Sequence, residues 1–230
     1  GQGLLKLTVA GGEKIAAVYL PNPAAKLTLL YSHGNAEDLG DVVPHITLLA
    51  ERLGVSVLAY DYRGYGRSEG KTTEQGCYED IDAAYRYLTE TLGVLPSQVI
   101  VVGRSVGSGP STDLAARRPV GGLILESAFR SAFTVATKIP IVPFDRFRNI
   151  AKIGRIDCPV LVMHGAKDQV VPYSHGRALF AAAKEPKRAL WIPQAGHNDF
   201  AYRAGRDYWS ALSGFLTLIK AGPAGQRSAR

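Results

Sequence analysis

Gln98-Val99-Ile100-Val101-Val102-Gly103-Arg104-Ser105-Val106-Gly107-Ser108-Gly109 decides the fold of this chain. A run of β-branched residues, apolar on both faces, reads as a strand buried from above and below. It runs straight into Gly-x-Ser-x-Gly, and a helical stretch follows through Ala116. In that strand–turn–helix setting the serine sits on a sharp turn that lifts its hydroxyl above the sheet edge, and the flanking glycines let strand and helix approach closely. A glycine-rich turn with an idle serine is the alternative, and the rest of the chain argues against it.

Outward from this turn, apolar β-branched runs recur at Leu27–Tyr31, Val55–Tyr60, Gly122–Leu125, Val160–His164 and Ala189–Ile192, with helical stretches between them. This alternation predicts an α/β fold with a mostly parallel central sheet and helices on both faces. Leu4–Ala10 and Lys14–Leu20, around Gly11-Gly12, predict an opening hairpin. Thr72 and Gln75 have capping-box spacing, and Ile81, Tyr85, Leu88 and Leu92 then recur at helical intervals until Gly93. Trp209, Leu212, Phe215, Leu216 and Ile219 predict a last amphipathic helix against the sheet. Residues 1–230 are expected to form a single domain. One stretch breaks the rhythm: 129–155 is rich in apolar residues and prolines, and is expected to form a short lid or pocket wall or a helix packed on the core.

The residues that would complete the chemistry follow in order. A serine hydroxyl is a weak nucleophile and needs a base, which an acid must hold in the useful tautomer. Asp168 follows the strand Val160–His164, and His197 follows Ala189–Ile192. The chain order Ser, acid, His at three strand ends is the one an α/β-hydrolase fold requires. Glu126 also ends a strand and is the competing acid; His33, His45, His164 and His175 read as structural. The turn Ser32-His33-Gly34-Asn35-Ala36 follows Leu27–Tyr31 and is expected to supply an oxyanion hole through the N–H groups of Asn35 and Val106. Phe129, Phe133, Ile141 and Phe144 are expected to line an acyl-binding site.

Composition excludes other classes. With 46% hydrophobic and 20% charged residues the chain is an ordinary globular protein. The net charge of +7 is scattered, without the basic stripe and stacking aromatics of a nucleic-acid site, although it suits weak contact with an anionic membrane surface. Cys77 and Cys158 have neither metal nor redox spacing. No metal or other cofactor is expected. No apolar run reaches the roughly 18 residues of a membrane span, and a cytoplasmic location is expected. The chain starts Gly1-Gln2-Gly3 without an initiator Met, so a missing leader carries no weight.

Four motifs carry a family resemblance: His33-Gly34-Asn35-Ala36, Asp61-Tyr62-Arg63-Gly64-Tyr65-Gly66, Gly103-Arg104-Ser105-Val106-Gly107-Ser108-Gly109-Pro110 and Gly196-His197-Asn198-Asp199. Together they resemble the α/β-hydrolase superfamily, and within it the bacterial relatives of the eukaryotic α/β-hydrolase-domain protein depalmitoylases. The likeness spans roughly Leu27 to Tyr208. It implies a serine hydrolase with Ser105, Asp168 and His197 as its triad, acting on small-molecule or acyl-protein esters and thioesters. One departure is Arg104, where the eukaryotic members usually carry Gln. An amidase or peptidase on the same fold, and a catalytically silent ligand-binding relative, are the competing expectations.

Overall fold

The computed structural model describes residues 3–132 and 146–225. Eight strands form one sheet in the order β1-β2-β4-β3-β5-β6-β7-β8. They are β1 (Leu5–Thr8), β2 (Lys14–Leu20), β3 (Thr28–Ser32), β4 (Ser56–Tyr60), β5 (Val99–Arg104), β6 (Gly122–Glu126), β7 (Val160–Gly165) and β8 (Lys187–Ile192). β1 pairs antiparallel with β2, and β2 with β4; every other pair is parallel. The expected hairpin is present with a shorter first strand, because the chain turns back at Val9, whose carbonyl accepts from the N–H groups of Gly11 and Gly12.

Every central strand is buried on both faces, and successive residues feed opposite cores. Leu30, Val99 and Val101 face α2 (Glu74–Arg86) and α3 (Ser108–Arg117). Leu29, Tyr31, Ile100 and Val102 face α1 (Leu39–Leu53) and the last helix. A period of two that is apolar throughout can only be satisfied by helices above and below the sheet. Ile46 of α1 is wholly enclosed, a burial that stabilises by about 1.5–3 kcal/mol.

Short helices α4 (Asn149–Lys152), α5 (Tyr173–Ala182) and α6 (Phe200–Ala204) precede the long α7 (Arg206–Gly225). Leu212, Phe215 and Leu216 of α7 are buried as expected, while Trp209 is half-buried with the Arg52 guanidinium 4.8 Å above its ring. Among the described residues no helix is long and apolar enough to cross a membrane.

Two helix ends differ from expectation. The cap of α2 is Thr73, whose hydroxyl accepts from the Gly76 N–H, whereas Thr72 donates to the Arg63 carbonyl and holds the preceding loop. Both threonines carry the capping hydroxyl, and the tertiary partner on Arg63 selects between them. After Arg86 the helix widens into a π-turn over Tyr87–Thr91 before Gly93 (φ 69°) ends it. Residues 133–145, about half of the expected lid, lie outside the described residues.

Candidate active site

The parallel strands deliver their carboxyl ends to one edge, and the candidate residues gather there. Ser105 follows β5 directly at φ 52°, in the left-handed region that side chains with a Cβ disfavour. Ala36, Ser127 and Phe147 also have positive φ. Three of these four follow strand ends at this edge, so the strain sits where functional strain is usually kept.

Ser105 Oγ lies 3.0 Å from His197 Nε2, and His197 Nδ1 lies 2.7 Å from Asp168 Oδ2. A carboxylate only accepts, so Nδ1 carries the proton and Nε2 is left as the acceptor facing the serine hydroxyl. Asp168 is itself fixed: its Oδ1 accepts from the N–H groups of Val170 (2.9 Å) and Val171 (2.7 Å). Burial opposes its ionisation, yet hydrogen bonds from His164, His197 and Val171 hold the carboxyl well below the usual range. The Asp168 and His197 loops touch through Gly165, where a Cβ would lie 2.3 Å from the Ala195 carbonyl oxygen.

The expected oxyanion turn adjoins the serine turn just as closely. A Cβ on Gly107 would lie 2.1 Å from the Ser32 carbonyl oxygen, so only glycine fits. The turn is pinned from both sides. Tyr65 Oη donates to Asn35 Oδ1 (2.6 Å), and the Gly34 N–H donates to Glu37 Oε2 (2.7 Å). Val106 lines a small cavity of about 80 Å³ with Tyr62, Tyr65, Thr73, Cys77 and Phe147. Burial pushes the Cys77 thiol up to about 12, which leaves it a neutral wall.

The structure brings Ser105, Asp168 and His197 together and directs the competing acid elsewhere. Glu126 accepts from Tyr208 Oη (3.1 Å) and lies 3.6 Å from Arg104 Nε. His33 is enclosed, with Nδ1 on the Gly34 carbonyl, and His45 lies 3.5 Å from Tyr208 Oη. His175 Nδ1 accepts from the Arg130 N–H. Of the expected acyl-site residues, Phe129 is buried in the core against Phe147, its carbonyl accepting from Asn149 Nδ2. Phe133, Ile141 and Phe144 lie outside the described residues.

Two participants escaped the sequence reading. His164 donates from Nε2 to the Val171 carbonyl (2.9 Å) and lies 3.4 Å from Asp168 Oδ2, a second imidazole against the acid. Arg104 reaches Glu37 and Asn198. The signal for His164 was its position four residues before Asp168 across a tight turn; none marked the partners of Arg104. Among the described residues no group of three or more His, Cys, Asp or Glu side chains is arranged to hold a metal ion.

A mostly parallel sheet with helices on both faces, and a strained serine turn after its fifth strand, define an α/β hydrolase. Residues 23–152 match the family model described as Hydrolase_4, serine aminopeptidase, S33. The human α/β hydrolase domain-containing protein 17B is 45% identical over 192 residues, covering 82% of this chain and 66% of that protein. The Xenopus tropicalis protein of the same name is 45% identical over 210 residues, covering 90% and 72%. A Pyrococcus furiosus esterase structure superposes with a TM-score of 0.80 over 95% of this chain and 92% of the other, at 19% identity, a likeness of fold. The chain therefore belongs to this family of α/β hydrolases, in the group of the α/β hydrolase domain-containing protein 17 members. It spans about two thirds of the human relative's length.

Proposed function

We propose that this chain hydrolyses carboxylic esters or thioesters through an acyl-enzyme on Ser105, with His197 as base and Asp168 as acid. The observation that carries this is the unbroken relay from Ser105 Oγ to His197 to Asp168, at 3.0 and 2.7 Å. As Oγ bonds to the acyl carbon, its proton passes to His197 Nε2 and the carbonyl electrons move onto oxygen. The N–H groups of Asn35 and Val106 stabilise that charge, each such donor contributing about 3–4 kcal/mol to the transition state. His197 then returns the proton to the departing alcohol or thiol as the C–O or C–S bond breaks. Water repeats the sequence, and the acid leaves.

In this reading the cavity beside Val106 takes the start of the acyl group, residues 1–230 act as one domain, and the 129–155 stretch completes the pocket wall. Acyl-protein thioesters are among the substrates implied by the resemblance. The family description favours a second reading, cleavage of amides from a free amino terminus. A fluorophosphonate probe tests the nucleophile: it should label Ser105 with a stoichiometry near one, and Ser105→Ala should abolish the labelling. Labelling at another serine refutes the assignment. Parallel assays on nitrophenyl esters, acyl thioesters and aminoacyl amides separate the two readings, and turnover of amides alone would favour the second.

A further inference from the structure

The three groups that must meet at the acyl carbon come from three loops. Each lies one peptide bond from a residue of a single polar network. Arg104 precedes Ser105, Asn198 follows His197, and Gly34 precedes Asn35. Arg104 Nη2 donates to Asn198 Oδ1 at 3.0 Å, and Nη1 pairs with Glu37 Oε1. The other oxygen of that carboxylate, Oε2, accepts from the Gly34 N–H at 2.7 Å. The third guanidinium nitrogen, Nε, lies 3.6 Å from Glu126 Oε1 at the end of β6. The Arg104 side chain is only 15% exposed, so the surrounding protein fixes its direction.

We infer that Arg104 is a positioning residue: its planar fork holds the oxyanion turn and the histidine loop in register with Ser105. This rests on the reading of Ser105 as nucleophile. Lysine cannot substitute, because an ammonium is a point charge on a flexible stem, whereas a guanidinium presents donors in fixed and divergent directions. Two carboxylates and one amide converge here from different directions, and only the fork meets all three. An exposed ion pair would contribute little. This one is largely covered, and without Arg104 the Glu37 and Glu126 carboxylates are left without their shared cation, so the Gly34–Glu37 clamp loses its anchor. The consequence is felt at Asn35 and His197, with neither of which the Arg104 side chain shares a hydrogen bond. A misplacement of about 1 Å in such groups lowers turnover by about 10²-fold.

The experiment compares wild type with Arg104→Ala, Arg104→Lys and Asn198→Ala, the last touching the network only at its exposed end. For each, kcat and KM on a nitrophenyl ester are measured beside Tm, and fluorophosphonate labelling of wild type is mapped. Arg104→Ala and Arg104→Lys should lose about 10²-fold in kcat while KM stays within about twofold, the pattern of an interaction that matters only in the transition state. Millimolar guanidinium should restore part of kcat in Arg104→Ala and none in Arg104→Lys. Asn198→Ala should lose several-fold in kcat at unchanged Tm. Wild-type kcat in Arg104→Lys overturns the inference, as does a loss in Arg104→Ala that guanidinium leaves untouched. Should Arg104→Ala fail to fold, Arg104→Lys and Asn198→Ala decide. A wild type that is not labelled at Ser105 removes the nucleophile assignment and this inference with it; a labelled wild type with unchanged variant kinetics removes this inference alone.

Discussion

Replacing Asp168 by asparagine exchanges one oxygen for an NH₂ group, and the structure dictates which way the new amide faces. Asp168 Oδ1 accepts two backbone N–H groups, from Val170 and Val171, while Oδ2 accepts from His197 Nδ1. The carbonyl oxygen of the introduced amide must take the Oδ1 place, because reversing the amide sets its NH₂ against two backbone donors, of which that of Val171 is buried. That reversal forfeits two hydrogen bonds of about 1 kcal/mol each and strands the buried Val171 donor at a further 1–3 kcal/mol or so. The NH₂ group is therefore left facing Nδ1, which can only accept from it. The ring proton moves to Nε2, 3.0 Å from Ser105 Oγ, where the base is needed. Nothing has moved, yet the base now points a proton at the proton it should remove. We expect kcat on a nitrophenyl ester to fall by about 10⁴-fold, the loss that a wrong tautomer produces in other serine enzymes and equal to about 5.5 kcal/mol of barrier. Tm should change little. Glu126→Gln is the control and should lose far less, since Glu126 faces Tyr208 and Arg104. A fall of less than about tenfold for Asp168→Asn, or the larger loss in Glu126→Gln, would refute the reasoning.

Three further outcomes are expected. Gly107→Ala should lower stability by about 3 kcal/mol or more, since its Cβ would lie 2.1 Å from a backbone oxygen that no side-chain rotation can move. In a chain of this size that is a Tm drop of about 6–12 °C, and a wild-type Tm by calorimetry would contradict the contact. His45 and His175 lie below the ordinary imidazole value, chiefly because burial disfavours their charged forms. The unfolded chain thus takes up protons below about pH 6.5 that the native protein refuses, and stability falls as pH drops through that value. Tm should be lower at about pH 5.5 than at about 7.5, the gap shrinking in His45→Gln and His175→Gln; a flat profile would count against it. In the cavity beside Val106, each added methylene of the acyl group should raise kcat/KM about fourfold from acetyl to butyryl esters and then level off, as burial worth about 0.8 kcal/mol requires. Efficiency indifferent to chain length would remove the cavity from the acyl path.

What could be read from the sequence was what local chemistry determines. The run Val99–Val102 is apolar on both faces, and both faces are covered. Glycine on either side of Ser105 marked a turn too tight for other residues, and Gly107 against the Ser32 carbonyl is that tightness. What could not be read depends on partners distant in sequence. Thr72 and Thr73 are equivalent caps until Arg63 takes one of them. His164 looked like the last residue of a strand, and becomes a neighbour of Asp168 only because the turn doubles back to Val171. Arg104 is separated from Glu37 and Asn198 by 67 and 94 positions, and no spacing rule reaches that far. Phe129 looks like a pocket-wall residue in the sequence, but packs in the core against Phe147, which lies 18 positions away.

The two close backbone approaches bear on redesign. At Gly107 the elbow rests on the carbonyl of Ser32, and at Gly165 the β7 end rests on the carbonyl of Ala195. Each joins the main chains of two loops that carry different reacting groups, with no intervening side chain to repack. Such loops cannot be transplanted one at a time from another hydrolase. A grafted oxyanion turn whose main chain runs even slightly lower would collide with the elbow, and a new histidine loop would collide with the aspartate strand. The exchangeable units are therefore pairs, β3 turn with elbow and β7 end with histidine loop, and a chimaera cut between the members of a pair should fail before its chemistry can be assayed.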